Sequence, residues 1–180
     1  ANIYSDQGQI PQAIEYYTRS LKINEELGNK EGIAANLGSL AIIYQDQGQI
    51  TQAIEYNTRS LKIFEEMNDK SSIATSLNNL AGIYGMQGKF PQAIDIFIRS
   101  LKISEEIGDK QGIANTLNNL AIIYKGQGQI PQATEYYTRS LKLSEEIGYK
   151  GLITSSFSGL ASLKLKQKDD TAALRYGLKG

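Results

Sequence analysis

The residues best suited to specific contacts in this chain are carboxamides. Asn79 and Asn119 stand forty residues apart, with Asn78, Asn115 and Asn118 close by in sequence. An amide side chain carries both donors and an acceptor. A ladder of them can hold the backbone of an extended peptide without reading its side chains. The same amides have a plainer use, which is hydrogen bonding within the scaffold that carries them. Paired carboxylates recur at the same step: Glu25-Glu26, Glu65-Glu66, Glu105-Glu106 and Glu145-Glu146, with Lys30, Lys70, Lys110 and Lys150 after them. A cation site needs converging oxygen ligands, so a solvated outer face is the expectation for these runs, and no metal is expected. The eleven Tyr residues could stack on nucleic-acid bases, but most recur at positions that pack a repeat.

What is missing narrows the chemistry further. The sequence has no His, no Cys and no Trp. That removes the usual general base, thiol nucleophiles, disulfides and the commonest transition-metal ligands. No Gly-Lys-Ser/Thr motif that cradles phosphate is present. We therefore expect no enzyme, no catalytic residue and no cofactor. Lys and Arg number 19, as do Asp and Glu. A balanced charge argues against a nucleic-acid partner, which needs a basic footprint, and against electrostatic docking to a membrane. No apolar run approaches the roughly 20 residues of a membrane span. The lack of Cys fits a reducing compartment, and a cytoplasmic location is the expectation.

The elements that must carry these residues can be read from periodicity. Ile113, Leu117, Leu120, Ala121 and Tyr124 fall at helical spacing, so they form a stripe rather than a strand alternation. Gln127-Gly128 closes that helix, because Gly readily takes the left-handed conformation. Pro131 then opens a second helix, at a place where a missing N–H costs nothing. Its buried face runs through Ala133, Tyr137, Ser140, Leu141 and Ser144, and Ile147-Gly148 ends it. A turn this short makes the two helices antiparallel neighbours. Small Ala121 and Ala133 should lie where the helices cross, with Tyr124 and Tyr137 beside them. The pattern repeats: Tyr44, Tyr84 and Tyr124 are each forty residues apart. A period in this range marks stacked helical units. On the exposed sides, Glu15–Arg19, Glu55–Arg59, Asp95–Arg99 and Glu135–Arg139 are spaced to pair within one helix.

The order Leu117, Leu120, Ala121, Tyr124, Gly128, Ala133, Tyr137, Leu141 resembles the tetratricopeptide repeat. Seven signature places of that family fall on Leu117, Leu120, Ala121, Tyr124, Ala133, Tyr137 and Ser140, while its closing Pro place holds Glu145. The usual unit has about 34 residues. The longer unit here is similar to those of kinesin light chains, spindle-orientation adaptors and prokaryotic signalling arrays. The resemblance implies an all-α fold, a right-handed superhelical α-solenoid of antiparallel helix hairpins. It also implies that the first helices line a concave surface. The candidate peptide-binding residues carried over onto that surface are Ile42, Gln45, Asn78, Asn79, Asn115, Asn118, Asn119, Ile122 and Lys125. Nearby Gly38, Gly82 and Gly85 leave room, and the groove should be shallow and uncharged. The expected function is a non-catalytic scaffold that binds a protein or peptide on its concave face. The alternative is a self-assembly or regulatory module that packs through its terminal repeats onto copies of itself or onto an adjacent effector domain.

The array divides into a partial repeat over 1–33, full repeats over 34–73, 74–113 and 114–153, and a degenerate or truncated repeat over 154–180. Ala1 to Tyr4 matches Ala121 to Tyr124, so the chain starts inside a first helix and reads as a piece of a longer array. Asn57 takes the aromatic place of Tyr17, Phe97 and Tyr137, where a weaker joint is expected. In the last repeat Phe157, Leu160 and Ala161 keep the stripe and Lys164 replaces the aromatic. Lys168-Asp169-Asp170 stands in for the Gly turn, with a second helix starting at Ala172.

Overall fold

A computed structural model describes residues 10–177, and side chains through residue 166. The described residues are all-α. In chain order the helices are α1 (Ile10–Glu26), α2 (Lys30–Asp46), α3 (Ile50–Met67), α4 (Lys70–Met86), α5 (Phe90–Ile107), α6 (Lys110–Gly126), α7 (Ile130–Glu146) and α8 (Lys150–Gly177). The described residues form two compact units that divide between residues 103 and 104, within α5. Within each unit, sequence neighbours such as α2 and α3, or α6 and α7, pack together as hairpins. The match at Ala1 to Tyr4 lies outside the described residues.

The helix ends follow from local chemistry. At the end of α6, Gly128 has a φ of 73°. Its N–H reaches the Lys125 carbonyl (3.0 Å), and the Gln129 N–H reaches that of Tyr124 (2.9 Å). These two bonds satisfy carbonyls that the helix leaves open. The turn after α3 uses Asn68 instead, at a φ of 53°. The starts of the first helices are capped by side chains. Asn29, Asp69 and Asp109 accept from the N–H groups of Gly32 (3.1 Å), Ser72 (3.2 Å) and Gly112 (3.0 Å). These caps start α2, α4 and α6 four residues ahead of the expected unit boundaries at 34, 74 and 114. Lys150 and Gly151 lie in the first turn of α8.

In the first unit, Leu21, Leu37 and Leu40 form a buried cluster, flanked by Ile14, Tyr17, Ile33, Tyr44, Tyr56 and Ile63. The Tyr44 and Tyr56 rings stack across the hairpin, 5.2 Å between centroids. In the second unit, Ala121, Ala133, Tyr137 and Leu163 make the core, with Tyr124 and Tyr136 stacked beside it at 5.3 Å. The small residues sit at the crossings, as the sequence predicts. One buried bond recurs in each hairpin. Ser60, Ser100 and Ser140 donate to the carbonyls of Ala34 (2.8 Å), Ala74 (2.7 Å) and Ala114 (2.8 Å). A buried hydroxyl without a partner would cost about 1–3 kcal/mol, so this serine place is set by the neighbouring helix.

Asn57, in the aromatic place, is 1% exposed, and its Nδ2 donates to the Ser76 carbonyl of α4 at 2.8 Å. Two expectations need correction. The last repeat does not turn at residues 168–170; α8 runs unbroken from Lys150 to Gly177. Gln167-Lys168-Asp169-Asp170 contains neither Gly nor Pro, so nothing there stops a helix. Finally, Phe157 and Ala161 do not join the core. α8 buries Leu152, Ser156, Gly159 and Leu163 instead, because no second helix covers the other face among the described residues.

Candidate functional site

The first helices of the first unit, α2 and α4, border a groove of about 230 Å³, with α3 beneath it. Ala35, Gly38, Ser39 and Ile42 come from α2, and Ser72, Thr75, Ser76 and Asn79 from α4. Asn57, Ser60 and Phe64 of α3 form the floor. No ionisable side chain lines it. Gly38 keeps the α2 wall open: a Cβ there would meet only Ser60 Oγ, at 3.5 Å.

Two of the nine residues proposed from sequence, Ile42 and Asn79, line this groove. The Asn79 side chain is half-buried, and no hydrogen bond from it appears among the described residues. Gln45 lies on α2, and its Nε2 is 3.4 Å from Met86 Sδ of α4. Asn78 is half-buried on α4 and already engaged in an interaction. The other five lie in the second unit, on α6. Ile122 is exposed, and Asn115, Asn119 and Lys125 are half-buried. Asn119 is also engaged.

Asn118 belongs to the packing rather than to an open surface. It is 5% exposed, and its Oδ1 accepts from Ser155 (3.3 Å) and Ser156 (3.2 Å) of α8. The Ser156 hydroxyl also lies 3.1 Å from Ser140 Oγ. Asn118 therefore joins α6 to α8. Sequence reasoning missed the groove floor. Asn57 was visible as a departure from the aromatic place, but Ser60 and Ser76 carried no signal beyond small size.

The repeated charges form pairs on the surface. Lys30 at the start of α2 meets Glu66 at the end of α3 (2.8 Å), and Lys110 meets Glu146 in the same way. The lysine hydrogen bond and charge hold the carboxyls of Glu66 and Glu146 below their ordinary range. Glu135 and Arg139 pair along α7 at 3.8 Å, as spaced. Arg59 instead contacts Glu25 of the preceding hairpin at 3.9 Å. Among the described residues no three carboxylates group closely enough to hold a metal, and no helix is long and apolar enough to cross a membrane. Burial raises the phenol values of Tyr44, Tyr136 and Tyr137. These rings stay neutral and pack.

Comparison with curated protein sequences finds no match. Solved structures show the same fold. The chain is similar to BtubC (BKLC) from P. vanneervenii, at 21% identity and a TM-score of 0.73, over 97% of this chain and 78% of that one. It is similar to a variant of the nearly identical TPR-like repeats of a putative kinesin light chain of Podosopora anserina, at 19% identity and a TM-score of 0.73, over 97% and 86%. It is also similar to a Rap protein complexed with Competence and Sporulation Factor, at 17% identity and a TM-score of 0.81, over 96% of this chain and 48% of that one. The chain thus spans about half the length of that Rap protein. At the level of sequence, the tetratricopeptide repeat pattern matches residues 1–66 and 72–146. With that match over most of its length, and with the hairpins just described, the chain belongs to the tetratricopeptide repeat family.

Proposed function

We propose that this chain is a non-catalytic scaffold whose first helices bind an extended peptide or protein segment. The observation that carries the reading is the groove between α2 and α4, with the Asn79 amide at its edge and no charge in its lining. An amide can pair with a peptide bond through both its donor and its acceptor. Asn119 holds the same place forty residues on, in the second unit. The Rap protein solved with Competence and Sporulation Factor supports the reading by analogy of fold. Of the nine sequence candidates we retain Ile42, Gln45, Asn78, Asn79, Asn115, Asn119, Ile122 and Lys125, and set Asn118 aside as a packing residue. The repeat boundaries at 34, 74, 114 and 154 remain our division of the array. We place the protein in the cytoplasm, which its cysteine-free sequence suits.

The test is a crosslinking and pull-down screen with the 180-residue chain, followed by affinity measurements on any partner. Asn79→Ala with Asn119→Ala should weaken binding by roughly 5–150-fold, at about 0.5–1.5 kcal/mol for each of two hydrogen bonds. Gly38→Leu should block the groove and leave the helices intact. An unchanged affinity in both variants sinks the reading.

A second reading, self-assembly, is favoured by α8, where Phe157 and Leu165 are 66% and 65% exposed. Such apolar faces tend to find partners. Sedimentation across a hundredfold range of concentration should then show dimers that Phe157→Glu removes, whereas a constant monomer rules it out.

A further inference from the structure

The groove lies where an aromatic ring is missing. Tyr17, Asn57, Phe97 and Tyr137 hold the same place in successive hairpins. Phe97 and Tyr137 are almost fully buried there. In the second unit the Tyr137 ring lies against Gly159, so closely that a Cβ on that residue would overlap the ring. The residue at the corresponding step from Asn57 is Asn79. A carboxamide is smaller than a phenol, and Asn57 is drawn toward the Ser76 carbonyl. The space beside it is part of the 230 Å³ groove. That is below the ~300–1,000 Å³ of sites that enclose small-molecule ligands, and it suits one large side chain.

The lining also has a polarity. A hydroxyl has one proton to give and two lone pairs to offer. Ser39 gives its proton to the Ala35 carbonyl (3.0 Å), Ser60 to Ala34 (2.8 Å) and Thr75 to Ser71 (3.1 Å). The Ser72 side chain bonds the Asp69 carboxylate. These hydroxyls are left as acceptors. A carboxylate or phosphate, which can only accept, would meet these oxygens and no cation in the lining to balance its charge, which is costly away from water. An ammonium would find acceptors but no carboxylate in the lining to balance its charge, which is costly away from water. A neutral ring with one donor meets both conditions.

We infer that the groove at Asn57 is a subsite for a tyrosine side chain of the bound peptide. The ligand supplies the ring that the other hairpins supply themselves, and its phenol O–H donates to the acceptor-rich wall. This rests on the peptide-binding reading above and adds side-chain selectivity to it.

The experiment uses acetylated, amidated heptapeptide pools, randomised except for a central residue fixed as Tyr, Phe, phosphotyrosine, Gln or Lys. Their affinities for the full 180-residue chain are compared by fluorescence anisotropy. The Tyr pool should bind roughly 3–10-fold more tightly than the Phe pool, the worth of one hydrogen bond, and more tightly than the other three. Asn57→Tyr should fill the groove and erase the preference for both rings. A thermal melt of the variant tells a filled groove from a lost fold. Should that variant fail to fold, Ser39→Ala with Thr75→Val provides the separate check, bringing the Tyr pool down to the level of the Phe pool without weakening the Phe pool. Equal binding of all pools, or a preference for Gln, Lys or phosphotyrosine, overturns the tyrosine subsite while leaving peptide binding standing. A Tyr preference that survives the substitutions also overturns the subsite. Binding by none of the pools overturns both.

Discussion

Asp69 illustrates how one side chain can do two jobs at a helix start. Its carboxylate accepts from the Ser72 N–H and is bonded by the Ser72 side chain, and these bonds hold its pKa below the ordinary range. A lowered folded-state value means that the ionised form is favoured by folding. The resulting stability is fully present above the unfolded value of about 3.9. It fades as the pH falls through the lower folded value. Asp69→Ala should therefore cost about 1 kcal/mol at neutral pH, read by urea denaturation. Asp69→Asn should keep most of the cap, since Asn29 caps α2 by the same contact. Between pH 5 and pH 2 the Asn variant should lose less stability than the wild type, and equal losses would contradict this account. At the same scale, Asn118 shows how an amide is used in packing. Its place on the turn of α6 aims it at Ser155 and Ser156 of α8, from whose hydroxyls its Oδ1 accepts.

At the scale of the element, two helical glycines should respond oppositely to the same substitution. Gly82 in α4 has nothing within 4 Å of the place where a Cβ would sit. Gly82→Ala should raise stability by about 0.5–1 kcal/mol, the usual gain from removing a helix-interior glycine. Gly159 in α8 faces the Tyr137 ring, with Cε2 at 2.7 Å from the same hypothetical atom. The ring cannot yield without disturbing Ala121, Ala133 and Leu163. Gly159→Ala should lower stability by about 1–3 kcal/mol through overpacking. Thermal melts of the two variants beside the wild type check both signs at once. The length of α8 has an equally local cause. The other helix ends employ a left-handed Gly or Asn, and residues 167–170 provide neither.

At the scale of the whole molecule, the balance of 19 basic and 19 acidic residues bears on how a partner is found. Long-range steering needs a net field, and the groove lining adds no charge of its own. Peptide affinity should therefore change by less than about twofold between roughly 0.05 and 0.5 M salt, conditions that screen exposed charges strongly. A tenfold or greater loss, measured on any peptide that binds, would point to recognition through the surface lysines rather than through the groove. The surface pairs Lys30–Glu66 and Lys110–Glu146 should not enter this result, since exposed ion pairs contribute at most about 1 kcal/mol.

The amino-acid sequence alone determined the repeat, the two helices of each hairpin, and the small and aromatic residues at their crossings. These follow from short-range periodicity, from Gly and Pro at helix ends, and from a forty-residue self-match that needs no coordinates. Tertiary packing decided which polar residues are open. Asn57 reads as a defect until the Ser76 carbonyl of α4 meets it, and Asn118 reads as a surface amide until α8 covers it. Both outcomes depend on a partner brought in from another helix, and only the folded arrangement could place it.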